Sequence, residues 1–128
     1  MRRCSTQADR ADHAHRAVRA SLEMRRRLAA WNVDRAQPFQ HGIGVHTGPV
    51  LACNIGSAQH ASFALVGDAV NLASRIQELT KEVEADILVS GTTRARLGQE
   101  LAVAGMPPVR MKGRSKEVEV YRICPGAF

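Results

Sequence analysis

Asn71 and Arg75 lie four residues apart in the stretch Phe63-Ala64-Leu65-Val66-Gly67-Asp68-Ala69-Val70-Asn71-Leu72-Ala73-Ser74-Arg75-Ile76. A strand-like run enters a tight Gly-Asp turn, and the helical pattern that follows sets an amide and a guanidinium on one face. A guanidinium offers a planar fork of donors that fits two phosphate oxygens, and an asparagine amide can bond a sugar hydroxyl or ring oxygen. The same pair on a helix surface is more commonly just solvated. Spacing alone leaves both readings open.

The elements that must position this pair follow from hydrophobic periodicity. From about Ala8 to Ala30 one long helix is expected, with Ala11, Ala14, Val18, Leu22 or Ser21, and Leu28 at helical spacing and no Gly or Pro inside. Asp9 and Asp12 suit the positive end of its dipole, and Asn32 followed by Pro38 marks its end. Ile43 and Val45 alternate with small or polar residues, as in a strand, and Thr47-Gly48-Pro49 has turn chemistry. Further strands are expected over Val50 to Ile55 and Ser62 to Val66. Asp68 then serves as N-cap of a helix carrying Val70, Ala73, Ile76 or Arg75, and Leu79. Asp86 to Ser90 reads as a strand, and a short helix starts at Ser90 or Thr92 and runs to about Leu97. Gly105 to Pro108 reads as a loop. Val109 to Met111 and Val118 to Ile123 read as two strands joined by a turn around Gly113–Lys116. This alternation predicts an α+β or α/β domain with a single sheet.

Composition bounds the rest. A chain of 128 residues suits one domain, and 45% hydrophobic with 23% charged residues argues against wholesale disorder. The apolar runs are too short to span a bilayer, and no apolar stretch follows the basic amino end, so neither a membrane span nor a secretory signal is expected. Cys4, Cys53 and Cys124 are widely spaced and odd in number, which argues against a disulfide framework or zinc site and for a reducing, cytoplasmic setting. Eighteen Lys and Arg against twelve Asp and Glu give a net charge of +6, favouring an anionic partner. Nucleic acid ranks last among such partners, because only 4% of residues are aromatic and no nucleic-acid-binding motif accompanies the charge.

Lesser signals have simple expectations. Gly42-x-Gly44 lacks the third glycine and the helix of a dinucleotide fold. His13-x-His15 has no companions at metal spacing and is expected to be exposed on its helix. Cys53 is expected to be a small core residue in a strand. Arg25-Arg26-Arg27 is expected to be a solvated face.

Three ordered blocks carry a family resemblance: Ile43-Gly44-Val45-His46-Thr47-Gly48-Pro49-Val50, then Gly67-Asp68-Ala69-Val70-Asn71-Leu72-Ala73-Ser74-Arg75, then Val109-Arg110-Met111-Lys112-Gly113-Arg114. Together they resemble the class III adenylate/guanylate cyclase catalytic domain, over roughly Ala8 to Ile123. The resemblance implies an α+β, ferredoxin-like fold, with helices packed on one face of the sheet, working as a head-to-tail dimer with active sites between protomers. It implies conversion of ATP or GTP to a cyclic nucleotide and pyrophosphate, with Mg or Mn as cofactor. Asn71 matches the ribose-orienting Asn, Arg75 the transition-state Arg, and Lys112 the phosphate-contacting Lys.

Two departures accompany it. The metal-binding aspartates of the family lie upstream of the long helix, and Asp9, Asp12 and Asp34 occupy different places, so no metal ligand is assigned in this chain. The purine-selecting position is Ala64, whose side chain can neither donate nor accept, leaving the backbone to contact the base. ATP and GTP are therefore not distinguished. The expectation is a cyclase domain truncated at its N-terminus, or one whose start codon is misplaced: residues 1–7 a disordered or replaced segment, 8–124 the partial domain, and 125–128 a tail. Alone, the chain is expected to be inactive. Its partners are expected to be ATP or GTP and, in a homodimer or heterodimer, a complete cyclase protomer. The competing expectation is a non-catalytic dimerisation or regulatory module, or a relic.

Overall fold

The computed structural model describes residues 12–56, 62–98, 103–105, 109–110 and 117–124. At its centre lies the strand Ile87–Ser90 (β4), all four residues of which are buried. Such a continuous apolar run is what a strand covered on both faces requires. The helix His13–Asn32 (α1) covers one face, packing Ala14 and Val18 on Ile87, Val89 and Ile123. The helix Asp68–Glu82 (α2) covers the other, packing Leu72, Ile76 and Leu79 on Leu88 and Val120. Alternate residues of β4 thus point to opposite layers. The helices lie on both faces, a correction to the one-sided packing that the resemblance implied.

Around β4 the sheet has the order β1-β4-β8-β5, where β1 is Ile43–Val45, β5 is Val103–Gly105 and β8 is Val120–Ile123. β1 runs parallel to β4, and β8 runs antiparallel to both β4 and β5. Two smaller antiparallel pairs stand apart from it: Leu51–Ile55 (β2) with Ser62–Val66 (β3), and Val109–Arg110 (β6) with Glu117–Val118 (β7). Among the described residues three sheets therefore replace the single one expected. The expected strand over 118–123 is broken at Glu119, whose carbonyl accepts from the Gly91 N–H at 2.9 Å. Its two halves serve different sheets. β5 overlaps the expected loop at Gly105, because pairing with β8 rather than local pattern makes it a strand.

The helix borders also shift. Gly67, not Asp68, is the N-cap of α2; its φ of +147° is a backbone state that side chains disfavour. Asp68 becomes the first helical residue, where its carboxylate meets the positive end of the dipole. The buried stripe of α2 is Ala69, Leu72, Ile76, Leu79 and Thr80, so Val70 and Ala73 are only half-buried rather than its core positions. The short helix Gly91–Arg96 (α3) is capped by Ser90, whose hydroxyl accepts from the Thr93 N–H.

Candidate functional site

Asn71 and Arg75 both stand exposed on α2. The opposite face of the helix is locked to the sheet. A Cβ on Gly44 would lie 2.5 Å from the Gln77 nitrogen and 2.8 Å from the Ala73 carbonyl oxygen, so β1 and α2 meet backbone to backbone. That contact admits no side chain and fixes the roll of the helix, which turns the amide and guanidinium away from the sheet. Among the described residues Arg75 enters no ion pair. A rigid mount holds a free cation.

Ala64 is half-buried in the middle of β3, in register with Cys53 of β2. Cys53 itself is half-buried, not a core residue as expected. Around this pair the hairpin displays Val50, Leu51, Leu65 and Val66, each 41–52% exposed. Lys112 lies outside the described residues, as do Asp9 and Cys4.

A cavity of about 1190 Å³ opens where all three helices begin, bordered by His13 of α1, Asp68 and Ala69 of α2, and Gly91 and Thr92 of α3. Asn71 and Arg75 do not border it. On its wall sits a hydrogen-bonded cluster that sequence reasoning missed. His46 Nδ1 lies 2.8 Å from Ser90 Oγ, and Thr47 Oγ1 lies 2.9 Å from Thr93 Oγ1. Ser90 and Thr93 are buried at 1% and 0% exposure. The only signal for them was the Ser-x-x-Thr spacing of a helix cap.

The three consecutive arginines divide between two roles. Arg26 and Arg27 are exposed and both pair with Glu23. Their hydrogen bonds hold the Glu23 carboxyl at about 2, well below its usual value of 4.5. Arg25 departs from the expected solvated face. Its side chain is 17% exposed, bonds Asp86 Oδ1 at 2.8 Å, and donates to the Ile123 carbonyl at 3.0 Å. It ties α1 to the start of β4 and the end of β8. His13 and His15 are half-buried rather than exposed.

Among the described residues no three His, Cys, Asp or Glu side chains gather as a metal site would need. Asp86 is committed to Arg25, and Asp12 and Asp34 lie at opposite ends of α1. These donors do not fit a divalent cation. No helix among the described residues is long and apolar enough to cross a membrane.

A family model described as the Adenylate and Guanylate cyclase catalytic domain matches residues 1–124. The chain belongs to this family. Similar proteins include Adenylate cyclase 1 of Rhizobium meliloti, 30% identical over 115 residues that make up 87% of this chain. The photoactivated adenylate cyclase subunit alpha of Euglena gracilis is 42% identical over 83 residues, 62% of the chain. Among solved structures, the guanylyl cyclase Cya2 superposes with a TM-score of 0.80 at 33% identity, covering 89% of this chain. The GTP complex of the guanylate cyclase domain of RhGC from Catenaria anguillulae gives 0.74 at 25% identity, covering 88% of this chain. The chain spans 17% of the Rhizobium protein, 8% of the Euglena subunit, 59% of the Cya2 chain and 60% of the RhGC chain. Its fold is that of the nucleotidyl cyclase catalytic domains, mixed helix and sheet.

Proposed function

We propose that this cyclase domain supplies the transition-state half of a nucleotidyl cyclase site and acts across a dimer cleft on ATP or GTP held by a complete cyclase protomer. The observation that carries this reading is the outward stance of Asn71 and Arg75 on a helix whose opposite face is locked to the sheet. They stand outside the cavity of their own chain, where a second chain can reach them. β1 has one strand neighbour among the described residues, which leaves an edge that another chain can pair.

In the reaction the 3′-hydroxyl oxygen of the nucleotide forms a bond to the α-phosphorus and gives up its proton to water, while the bond to the bridging oxygen of pyrophosphate breaks and pyrophosphate leaves with that electron pair. Negative charge grows on the phosphoryl oxygens as this happens. Arg75 faces that charge with a fixed fork of donors, which is worth a few kcal/mol of barrier in a water-poor cleft. Asn71, one helical turn away, bonds the ribose and holds its hydroxyl in line. Lys112 adds a point charge at the phosphates. The described carboxylates of this chain do not gather to hold a divalent ion, so its ligands would come from the partner protomer, and no product is expected from this chain by itself. The site lies in the cytoplasm, where the nucleotides are.

The test mixes this chain with a cyclase protomer that lacks its own transition-state arginine. Cyclic nucleotide made by the mixture, and by neither component alone, is the expected result. Mixed dimers that form without any product would contradict the reading and favour a non-catalytic dimerisation module.

A further inference from the structure

The polar cluster at the end of β1 has a direction that can be worked out proton by proton. Thr93 Oγ1 donates to the Val45 carbonyl at 3.4 Å, an atom that can only accept. With its one proton so used, the Thr93 oxygen accepts from Thr47 at 2.9 Å and from Ser90 at 3.2 Å. Ser90 has then spent its own proton. Its oxygen accepts from the Thr93 N–H at 3.2 Å and from His46 Nδ1 at 2.8 Å. In this arrangement His46 carries a proton on Nδ1, and the chain runs His46 to Ser90 to Thr93 to Val45.

This chain holds more than a helix cap. A cap needs Ser90 and the Thr93 N–H alone, yet the hydroxyl of Thr93 also grips Thr47 and the strand carbonyl. Thr47 opens the segment 47–49, which packs against the start of α2. A Cβ on the next residue, Gly48, would lie 2.9 Å from Ala69 Cβ in the first turn of α2. The Pro49 carbonyl oxygen would lie 3.4 Å from a Cβ on Gly67, the N-cap of the same helix. Ala69 stands two residues before Asn71.

We propose that Thr93 is a positioning residue: through Thr47 it fixes the segment 47–49 against the first turn of α2, and so sets where Asn71 and Arg75 stand. It touches no substrate. The proposal rests on the function assigned above to that pair, but part of its test does not.

Thr93→Val keeps the shape and removes the hydroxyl. Ser90 then loses the acceptor of its proton and donates to His46 Nδ1, so the imidazole proton moves to Nε2. Nitrogen-15 NMR reads that tautomer directly, and hydrogen exchange reads the first turn of α2. The expected results are an Nδ1–H imidazole in the unsubstituted chain, an Nε2–H imidazole in Thr93→Val, and at least tenfold faster exchange at Val70–Leu72 than before, with α1 unchanged. In the mixed-protomer assay kcat falls roughly tenfold or more while KM holds, as for misplaced catalytic groups, and Thr93→Ser restores it. Should Thr93→Val fail to fold, Thr47→Val, at a half-buried position, gives the same exchange readout. An unchanged tautomer together with unchanged α2 exchange overturns the proposal whatever the activity. Absence of product from the unsubstituted mixture counts against the cyclase reading alone, and the spectroscopy still decides this one.

Discussion

Cys53 and Ala64 face each other in register across the β2–β3 hairpin, so their side chains share one face of that ribbon. At the purine-selecting position that the resemblance implies, Ala64 would offer a base only its methyl group and backbone, and a hydrophobic contact discriminates weakly between purines. In the mixed-protomer assay ATP and GTP are expected to be used with kcat/KM values within about tenfold of each other. Initial rates with each nucleotide check this. A preference beyond about a hundredfold would show that another group reads the base.

The close approach of β1 to α2 makes Gly44 a sharp point of vulnerability. Gly44→Ala forces a methyl group to within 3 Å of helix backbone at both Gln77 and Ala73, which cannot yield as a flexible side chain would. Unfolding in urea is expected to show a loss of about 3 kcal/mol. Gly98→Ala is the control, since nothing lies within 4 Å of a Cβ there. Equal stabilities for the two variants would contradict the packing described.

These relationships differ in how far they can be read from the chain. The Asn71 and Arg75 pair was legible because both residues belong to one helix, and helical spacing is local. So were β2, β3 and the cap at Ser90, each set by short patterns of side chain or turn. The role of Arg25 was not, because its partner Asp86 lies 61 residues away and three arginines in a row resemble a solvated face. The break at Glu119 was also hidden. A charged residue between Val118 and Val120 continues a strand alternation, and only the change of pairing partner, from β6 to β4 and β5, divides it. The placement of the two long helices on opposite faces was missed because Ile87-Leu88-Val89 reads as buried without saying what covers each side. Lys112 stays an expectation from the resemblance.

Arg25 joins three elements, and its loss is expected to loosen them together. Arg25→Leu strands the Asp86 carboxylate and removes the donor to the Ile123 carbonyl. About 1–3 kcal/mol of stability should go, visible as a lower urea midpoint with little change in slope. A change under about 0.5 kcal/mol would mean that the ion pair is decorative.

Glu23 supplies a pH test with a definite sign. Hydrogen bonds from Arg26 and Arg27 hold its carboxyl at about 2 in the folded chain, below the 4.5 of the free group. A depressed folded value means that its contribution is present above pH 4.5 and fades as pH falls towards 2. The pairs are exposed, so salt screens them. A carboxyl NMR titration should show a midpoint near 2 in dilute buffer, moving up in concentrated salt. A normal midpoint in dilute buffer would mean that the pairs do not persist in solution.

The most direct test of the central claim is the rate of cyclic nucleotide formation by the mixed dimer when Arg75 alone is changed. Arg75 is exposed, so Arg75→Ala should leave the free energy of unfolding in urea within about 0.5 kcal/mol of the original. The rate, in contrast, should fall on the order of a hundredfold, the usual cost of removing one preorganised donor from a developing negative charge. A mixed dimer that keeps its full rate after Arg75→Ala would contradict the account.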